Sequence, residues 1–207
     1  MTLALTLLVM ATVAQPAATF APSVTVTRDE ASGRVRQLSA LRVPVAEPSL
    51  AGLVRAFFEP YRAELGLDPA ELVEVRREAW TGGTSVVLQR VIDGHEVVDG
   101  VVRVTLGRDG AVEAYTAGDV APVTRATAAL AAIEAATAAG KVLTGLGQPA
   151  ASDLVYLGGR LSWRLRYAPS PARSSASAGG LAATYAPIVF VDAVSGEVLA
   201  LRNGLVR

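Results

Sequence analysis

Cysteine is absent from the 207 residues of this chain, and histidine occurs once, at His95. The absence of cysteine excludes a disulfide scaffold, a thiol nucleophile, an iron–sulfur cluster and a cysteine-bound zinc site. A single histidine cannot supply the two histidines of an H-E-x-x-H zinc motif, and a Ser-His-Asp triad would have to use that one residue. The composition therefore argues against an enzyme, and we expect no catalytic residue, no cofactor and no metal site.

An excess of one charge is also absent, because 19 basic and 19 acidic residues give a net charge of zero. The arginines are interspersed with Asp and Glu, which is typical of solvated faces. Nucleic-acid binding relies on a clustered basic excess, so we expect no nucleic-acid partner. Hydrophobic residues make up 51% of the chain, which is too many for a disordered protein.

One uncharged apolar run stands at the N-terminus, at residues 3–14. It is too short to span a bilayer as a helix but has the length of a signal-peptide core. Small residues follow it, and Ala14 and Ala21 are the two candidate cleavage positions. No Lys or Arg precedes Arg28, so the charged start of a signal peptide is missing, and a buried strand or helix is the alternative. We predict a signal peptide over residues 1–21, a secreted, periplasmic or cell-surface location, and no membrane span in the mature chain.

The first half of the chain changes from a helical to an extended period. Residues 22–47 are polar and irregular and predict a linker or an edge strand. Apolar residues between Leu50 and Leu65 recur at helical spacing, with Pro60 expected to kink the helix and Gly66 to end it. Alternation then predicts antiparallel strands separated by Asp-Gly turns at 93–94, 99–100 and 109–110. These strands are Leu72–Trp80, Ser85–Ile92, Val101–Leu106 and Ala111–Thr116.

The second half repeats this order of a helix followed by strands. Thr124 is a candidate N-cap for a helix running to about residue 139, with Leu130, Ile133 and Ala136 on one apolar face. The predicted strands are Asp153–Leu157, Leu161–Tyr167, Ala186–Asp192 and Glu197–Leu201. Residues 169–180 are low in complexity and predict a flexible loop. Because an apolar helix and an apolar sheet face must cover one another, the fold class is α+β, with two small modules that each pack a helix on a curved antiparallel β-sheet.

Two strand motifs resemble known families. The stretch QRVIDGHEVVDG, followed by a strand and a further Asp-Gly turn, resembles the FTP (fungalysin/thermolysin propeptide) domain. Its motif positions are Gln89, Gly94, Val97 and Gly100. In the second half LSWRLRY and FVDAVSGEVL resemble a PepSY domain, and the motif positions there are Trp163, Asp192, Gly196 and Glu197. The resemblance covers roughly residues 48–203 and divides the chain into an FTP-like domain at 48–120 and a PepSY-like domain at 121–207.

The resemblance implies a function. Paired modules of these families form the pro-region of secreted thermolysin-like and fungalysin-like zinc proteases, where they assist folding of the protease domain and inhibit it. The expected partner is therefore a metalloprotease domain, acting in trans or lost from this chain, which ends at Arg207. The alternative is a free-standing extracytoplasmic binding or surface-associated module with no protease partner.

The FTP-like motif residues are expected to be structural. Gly94 and Gly100 would supply positive φ angles in turns. Gln89 would pair across strands, with contact to a partner protein as the alternative. His95 follows the Asp93-Gly94 turn and is expected in an exposed loop.

The PepSY-like motif residues have similar expectations. Trp163 alternates with Leu161 and Leu165 and is expected in the core. Asp192 is expected to order the turn that leads to Gly196 through its side-chain oxygen. Trp80, beside a glycine-rich turn in the first half, is expected to be partly exposed.

Overall fold

The structure is a computed structural model that describes residues 19–118, 122–143, 145–171 and 184–204. Most of the predicted signal peptide and most of the predicted loop at 169–180 lie outside the described residues. Among the described residues, no helix has the length and apolar character needed to cross a membrane.

One curled sheet runs through both halves of the chain. The strands of the first half are β1 (Thr25–Arg28), β2 (Val35–Ser39), β3 (Leu72–Trp80), β4 (Gly83–Ile92), β5 (His95–Gly107) and β6 (Val112–Ala117). Those of the second half are β7 (Ala151–Leu157), β8 (Arg160–Arg166), β11 (Pro187–Asp192) and β12 (Val198–Asn203). A separate small hairpin pairs β9 (Ser170–Pro171) with β10 (Thr184–Tyr185).

The order of strands along the sheet is β1-β2-β6-β5-β7-β8-β11-β12, and β4 and β3 extend it from the other side of β5. All pairings are antiparallel except that of β5 with β7. The sheet is mixed and strongly curled, and the helices pack on it, so the expected α+β class with helices on a curved sheet is confirmed. The two halves share this one sheet through the β5–β7 contact.

The helix of the first half is broken into three pieces, and the gap between the second and the third contains Pro60, where the sequence predicts a kink. They are α1 (Leu50–Leu53), a π-helical turn (Val54–Phe58) and α2 (Arg62–Leu65). The side chain of Ser49 accepts a hydrogen bond from the Gly52 amide at 3.1 Å and so caps α1. Gly66 ends α2 with a φ of 65°, which is the left-handed conformation that glycine adopts without strain.

These helical pieces cover the inner face of the first-half sheet. Leu53, Phe57, Phe58 and Leu65 from the helical pieces are buried against the strands. The strand side chains in this cluster include Leu38, Val86, Leu88, Val104 and Tyr115. The large area of apolar surface removed from water makes this cluster the main core of the described chain.

The segment 22–47 is not a linker. It contains β1, which is an edge strand, and β2, which lies inside the sheet and pairs with β6. Its sequence reads as irregular because only Val35 and Leu38 of β2 are buried, while the residues between them face solvent. The edge-strand expectation therefore holds for β1 alone.

The helix of the second half, α3 (Ala132–Val142), begins eight residues later than the predicted cap at Thr124. The Glu134 carboxylate accepts a hydrogen bond from the Ala131 amide at 2.7 Å and starts the helix there. The predicted apolar face is also wrong, because Ile133 is 60% exposed and α3 instead buries Ala135 and Ala139. The residues before Ala131 are extended, since the amides of 129 and 130 donate to the Ala193 carbonyl.

Candidate functional site at the junction of the two halves

The middle of β5 is where the sheet passes from one half to the other. Gln89 of β4 pairs with Val101 of β5, but the next pair is Val91 with Glu96. Residues 97–100 of β5 therefore lie opposite Arg90 alone, which makes a wide bulge. At the start of this bulge, Glu96 and Val97 pair in parallel with Val155 and Tyr156 of β7, on the other side of β5. We call residues 95–100 and Gln89 the junction.

The FTP-like motif residues meet in the junction. The Gln89 side-chain amide donates to the Val97 carbonyl at 2.8 Å and to the Arg90 carbonyl at 3.2 Å, so it pairs across strands as expected. A Cβ atom on Gly100 would lie 2.8 Å from both the Cβ and the carbonyl oxygen of Val97. Gly94 has a φ of 81° in the turn between β4 and β5. Gln89 and Gly100 thus both lie against Val97 at the bulge, and Gly94 ends the turn before it.

Two expectations about this region are wrong. Asp99-Gly100 is not a turn, because β5 continues through it, and the positive φ of 62° belongs to Asp99 while Gly100 is required by its close approach to Val97. His95 is not in a loop, because it opens β5, pairs with Ile92 and lies half-buried with its ring 6.4 Å from that of Tyr156. The Asp93-Gly94 turn is tight enough for pairing to resume at once.

Apolar contacts and ion pairs hold the junction to the second half. Ile92 and Val97 pack with Tyr156, Leu161 and Ala193 on one face of the sheet. Val98 packs with Val155 and Phe190 in a second cluster. Both groups are almost completely buried, so they stabilise the contact between the halves.

Two ion pairs cross the same boundary. Glu96 accepts from Arg164 of β8 at 2.9 Å, and Asp99 accepts from Arg202 of β12 through both oxygens at 3.1 and 2.7 Å. Burial would lower the pKa of the Arg164 guanidinium, but hydrogen bonds to Asp153 and Glu96 raise it above its ordinary value. These charge-assisted hydrogen bonds fix the orientation of β5 on the second half.

The PepSY-like motif residues build the turn between β11 and β12. One carboxylate oxygen of Asp192 accepts from the amides of Val194 and Ser195 at 2.9 and 2.7 Å, which is the turn-ordering role that the sequence predicted. Arg160 of β8 binds Asp192 at 2.8 Å and Glu197 at 3.0 Å. Burial would raise the pKa of Asp192, but the two amides and Arg160 lower it below its ordinary value.

Trp163 connects that turn to the extended segment before α3. Its indole nitrogen donates to the Leu130 carbonyl at 2.9 Å, and its half-buried ring packs against two of the buried clusters. Gly196 has a φ of 77°, and the Leu130 side chain lies 3.1 Å from where its Cβ would stand. Trp163 and Gly196 therefore both contact Leu130 and hold the end of this segment on the sheet.

A cleft of about 1100 Å³ opens beside the junction. It lies between α2, the short 3₁₀ turn Pro69–Glu71, Arg90 and Pro122–Val123. Its charged lining consists of Arg34, Arg55, Glu59, Arg62, Asp68, Glu71 and Arg90. Arg90 donates to Glu71 at 2.9 Å with both side chains largely buried, and Arg62 binds Asp68 at 2.6 Å. Sequence reasoning missed this cleft, because its residues come from segments that are distant in the sequence.

The remaining sequence candidates are separate from the junction. Trp80 of β3 is 54% exposed, in agreement with the expectation of partial exposure. In the part of the chain that the structure describes, no group of three or more Asp, Glu and His side chains is placed to hold a metal ion. The arrangement offers paired charges, a cleft and exposed sheet surface, which are the elements of a binding surface.

No family model matches this chain. No curated protein matches it either. Among solved structures it is similar to the C-terminal domain of YpeB from Bacillus megaterium, with 11% sequence identity, a TM-score of 0.37, and coverage of 87% of this chain and 75% of that one. The FTP-like and PepSY-like resemblances therefore rest on the motifs themselves.

Proposed function

We propose that this chain is a non-enzymatic, extracytoplasmic pro-region module that assists the folding of a thermolysin-like or fungalysin-like zinc metalloprotease and inhibits it. The basis of the proposal is the resemblance of its two motifs to FTP and PepSY domains. The supporting observation is that Gln89 and Gly100 both lie against Val97 at the bulge where β5 leaves one half for the other. The motif residues would then serve to hold both modules in one orientation.

A fixed orientation matters for both activities. A partner that binds only the native-like state of an enzyme stabilises that state by mass action. Binding costs less when the binding surface is already ordered, because less conformational freedom is lost on association. Two modules joined by paired strands, buried apolar contacts and two ion pairs present such a surface.

The second candidate function is an extracytoplasmic binding module without a protease partner. The charged cleft of about 1100 Å³ beside the junction favours it, because ligand sites occur preferentially where structural units meet. Glu59, Arg55 and Arg62 at this cleft are side chains through which a polar ligand would be bound.

The test is a refolding and inhibition assay with thermolysin-like metalloproteases from the source organism. The purified full chain is expected to raise the yield of active refolded protease and to slow cleavage of a peptide substrate by the mature enzyme. Gly100→Val, which forces the junction apart, should weaken both effects, while Gly140→Ala, on an open position of α3, should leave both unchanged. If the chain affects neither refolding nor activity of any such enzyme, the pro-region function is wrong and the second candidate replaces it.

A further inference from the structure

The outer edge of β3 is the longest sheet edge among the described residues. β3 has nine residues and pairs only with β4, whereas the edge strands β1 and β12 have four and six. Its apolar side chains are unusually exposed, with Val73 at 49%, Val75 at 58% and Trp80 at 54%. A long edge with exposed apolar side chains is a template for pairing with another strand.

A bulge divides the charged side chains of β3 between the two faces of the sheet. Glu74 pairs with Leu88 and Arg77 with Val86, so both lie on the inner face, where they form two hydrogen bonds of 2.8 Å. Arg76 pairs with Val87 and Glu78 with Ser85, so both lie on the outer face at 3.2 Å from one another. The outer face of the edge thus carries one positive and one negative side chain, two residues apart.

We propose that the edge of β3 binds the same edge of a second copy of this chain, antiparallel and with the two-fold axis at Arg77. In this register Arg76 of each copy lies opposite Glu78 of the other, because directly opposite residues in an antiparallel pair share a face. The charge order of the strand is therefore complementary to itself. Such an isologous contact closes with two chains.

Two neighbouring positions of β3 also meet in this register. The two Arg77 side chains meet at the axis, and each is neutralised by its own Glu74 on the same face. Val75 of one copy lies opposite Ala79 of the other, so the exposed Val75 side chains lie within the contact at both ends of the paired segment. Charged residues on an edge strand protect it against strands of unrelated sequence, and this order of charges would select the second copy.

The experiment is sedimentation velocity on the full chain and its variants across a concentration range. The unchanged chain should show a concentration-dependent monomer–dimer equilibrium. Arg76→Glu alone and Glu78→Arg alone should each raise the dimer dissociation constant by roughly tenfold or more, because each places two like-charged pairs opposite one another. An equimolar mixture of the two variants should form a heterodimer, since both cross-chain pairs are then opposite in charge.

The matched control is the ion pair of Arg28 of β1 and Glu64 of α2, which has a 2.7 Å contact and involves no residue of β3. Arg28→Glu, Glu64→Arg and their mixture should dimerise as the unchanged chain does. Circular dichroism of each variant establishes that it is folded. The proposal is wrong if the chain is monomeric at all concentrations. It is also wrong if Arg76→Glu and Glu78→Arg both leave the dimer dissociation constant unchanged.

Discussion

The two halves follow the same order of helix and strands, but they bury very different side chains. The helical pieces of the first half contribute Leu53, Phe57, Phe58 and Leu65 to the core, whereas α3 contributes only Ala135 and Ala139. Apolar burial stabilises in proportion to area, so the first half gains much more from its helix than the second half does. The alanines allow α3 to lie close to β8 and β11, but they bury little surface.

In the second half, hydrogen bonds and ion pairs hold the extended segment before α3 and the turn between β11 and β12. Trp163 holds the Leu130 carbonyl, Arg160 joins Asp192 to Glu197, and two amides of the extended segment share the Ala193 carbonyl. Hydrogen bonds of this kind contribute only about 1 kcal/mol each. The helix of the first half is therefore held on the sheet by large apolar side chains, whereas α3 and the segment before it are held by close alanine packing and specific hydrogen bonds.

The largest expected loss of stability comes from a substitution in the core of the first half. Phe57→Ala should lower the free energy of unfolding by about 4 kcal/mol, because it leaves a cavity at a fully buried ring. Ala135→Gly on α3 should cost only about 1 kcal/mol, and the exposed Ile133→Ala about 0.5 kcal/mol or less. Urea unfolding measures all three. Equal losses for Phe57→Ala and Ala135→Gly would contradict the comparison of the halves.

The next effect concerns the junction. Gly100→Ala should cost about 2 kcal/mol, because its Cβ meets the Val97 backbone and Cβ at 2.8 Å and the bulge must move. Gly140→Ala, where nothing lies within 4 Å, should instead stabilise α3 by about 0.5–1 kcal/mol. Thermal unfolding of the two variants compares them directly. A neutral Gly100→Ala would show that the bulge tolerates rearrangement.

Measuring the free energy of unfolding at several pH values tests how much the ionised Asp192 carboxylate stabilises the second half. The pKa of Asp192 is lowered in the folded chain, so its contribution is present above the ordinary value of 3.8 and disappears as the pH falls through the lowered value. Asp192→Asn should therefore be less stable than the unchanged chain at neutral pH, and the difference should shrink in acid. Denaturant unfolding at several pH values tests this, and a difference independent of pH would rule it out.

Trp163→Phe isolates one hydrogen bond of the second half. The ring that packs on the clusters is largely retained, while the donor to the Leu130 carbonyl at 2.9 Å is lost. We expect a loss of about 1 kcal/mol and faster hydrogen exchange at the amides of residues 129 and 130. The exposed Trp80→Phe is the control and should change neither quantity. Unaltered exchange in Trp163→Phe would mean that the segment is held by other contacts.

The smallest effect is expected in the large core of the first half. The Tyr115 hydroxyl is buried without a hydrogen-bond partner among the described residues, and burial raises the pKa of this tyrosine. Tyr115→Phe removes an unpaired polar atom, so it should be neutral or stabilising by up to about 1 kcal/mol. A measured loss above that size would reveal a partner for the hydroxyl, for example a buried water.

The strands of the second half lie within two residues of their predicted bounds, but the sequence predicts the helix of the first half better than that of the second for a physical reason. Alternation locates β3 at Leu72–Trp80, and the helical spacing together with Pro60 locates the broken helix, because large apolar side chains mark the buried face. Alanines occur at both buried and partly exposed positions of α3, so their spacing does not identify the buried face. The start of α3 is instead set by the hydrogen bond from the Ala131 amide to Glu134, which hydrophobic periodicity does not reveal.

Contacts distant in sequence explain the other differences. Asp99-Gly100 has the composition of a turn, but the chain stays extended because Glu96 and Val97 before it pair with β7 and Val101 after it pairs with β4. The cleft joins Arg34, Arg62, Arg90 and Pro122, which no local pattern relates. The motif residues were located by resemblance, whereas the hydrogen bond from Gln89 to the Val97 carbonyl required the fold.

The parallel pairing of β5 with β7 also has a kinetic consequence. The paired residues Val97 and Tyr156 are separated in the sequence by β6, α3 and the extended segment before α3. Forming the pair therefore closes a long loop, and this chain entropy is lost before the contacts of the pair contribute favourable free energy. The hairpins of β3 with β4 and of β4 with β5 close only short loops, whereas the pairing of β2 with β6 joins Leu38 to Tyr115 over a still longer stretch of chain. We therefore expect the β3–β4–β5 hairpins to form early, and the pairings of β2 with β6 and of β5 with β7 to complete the sheet late in folding.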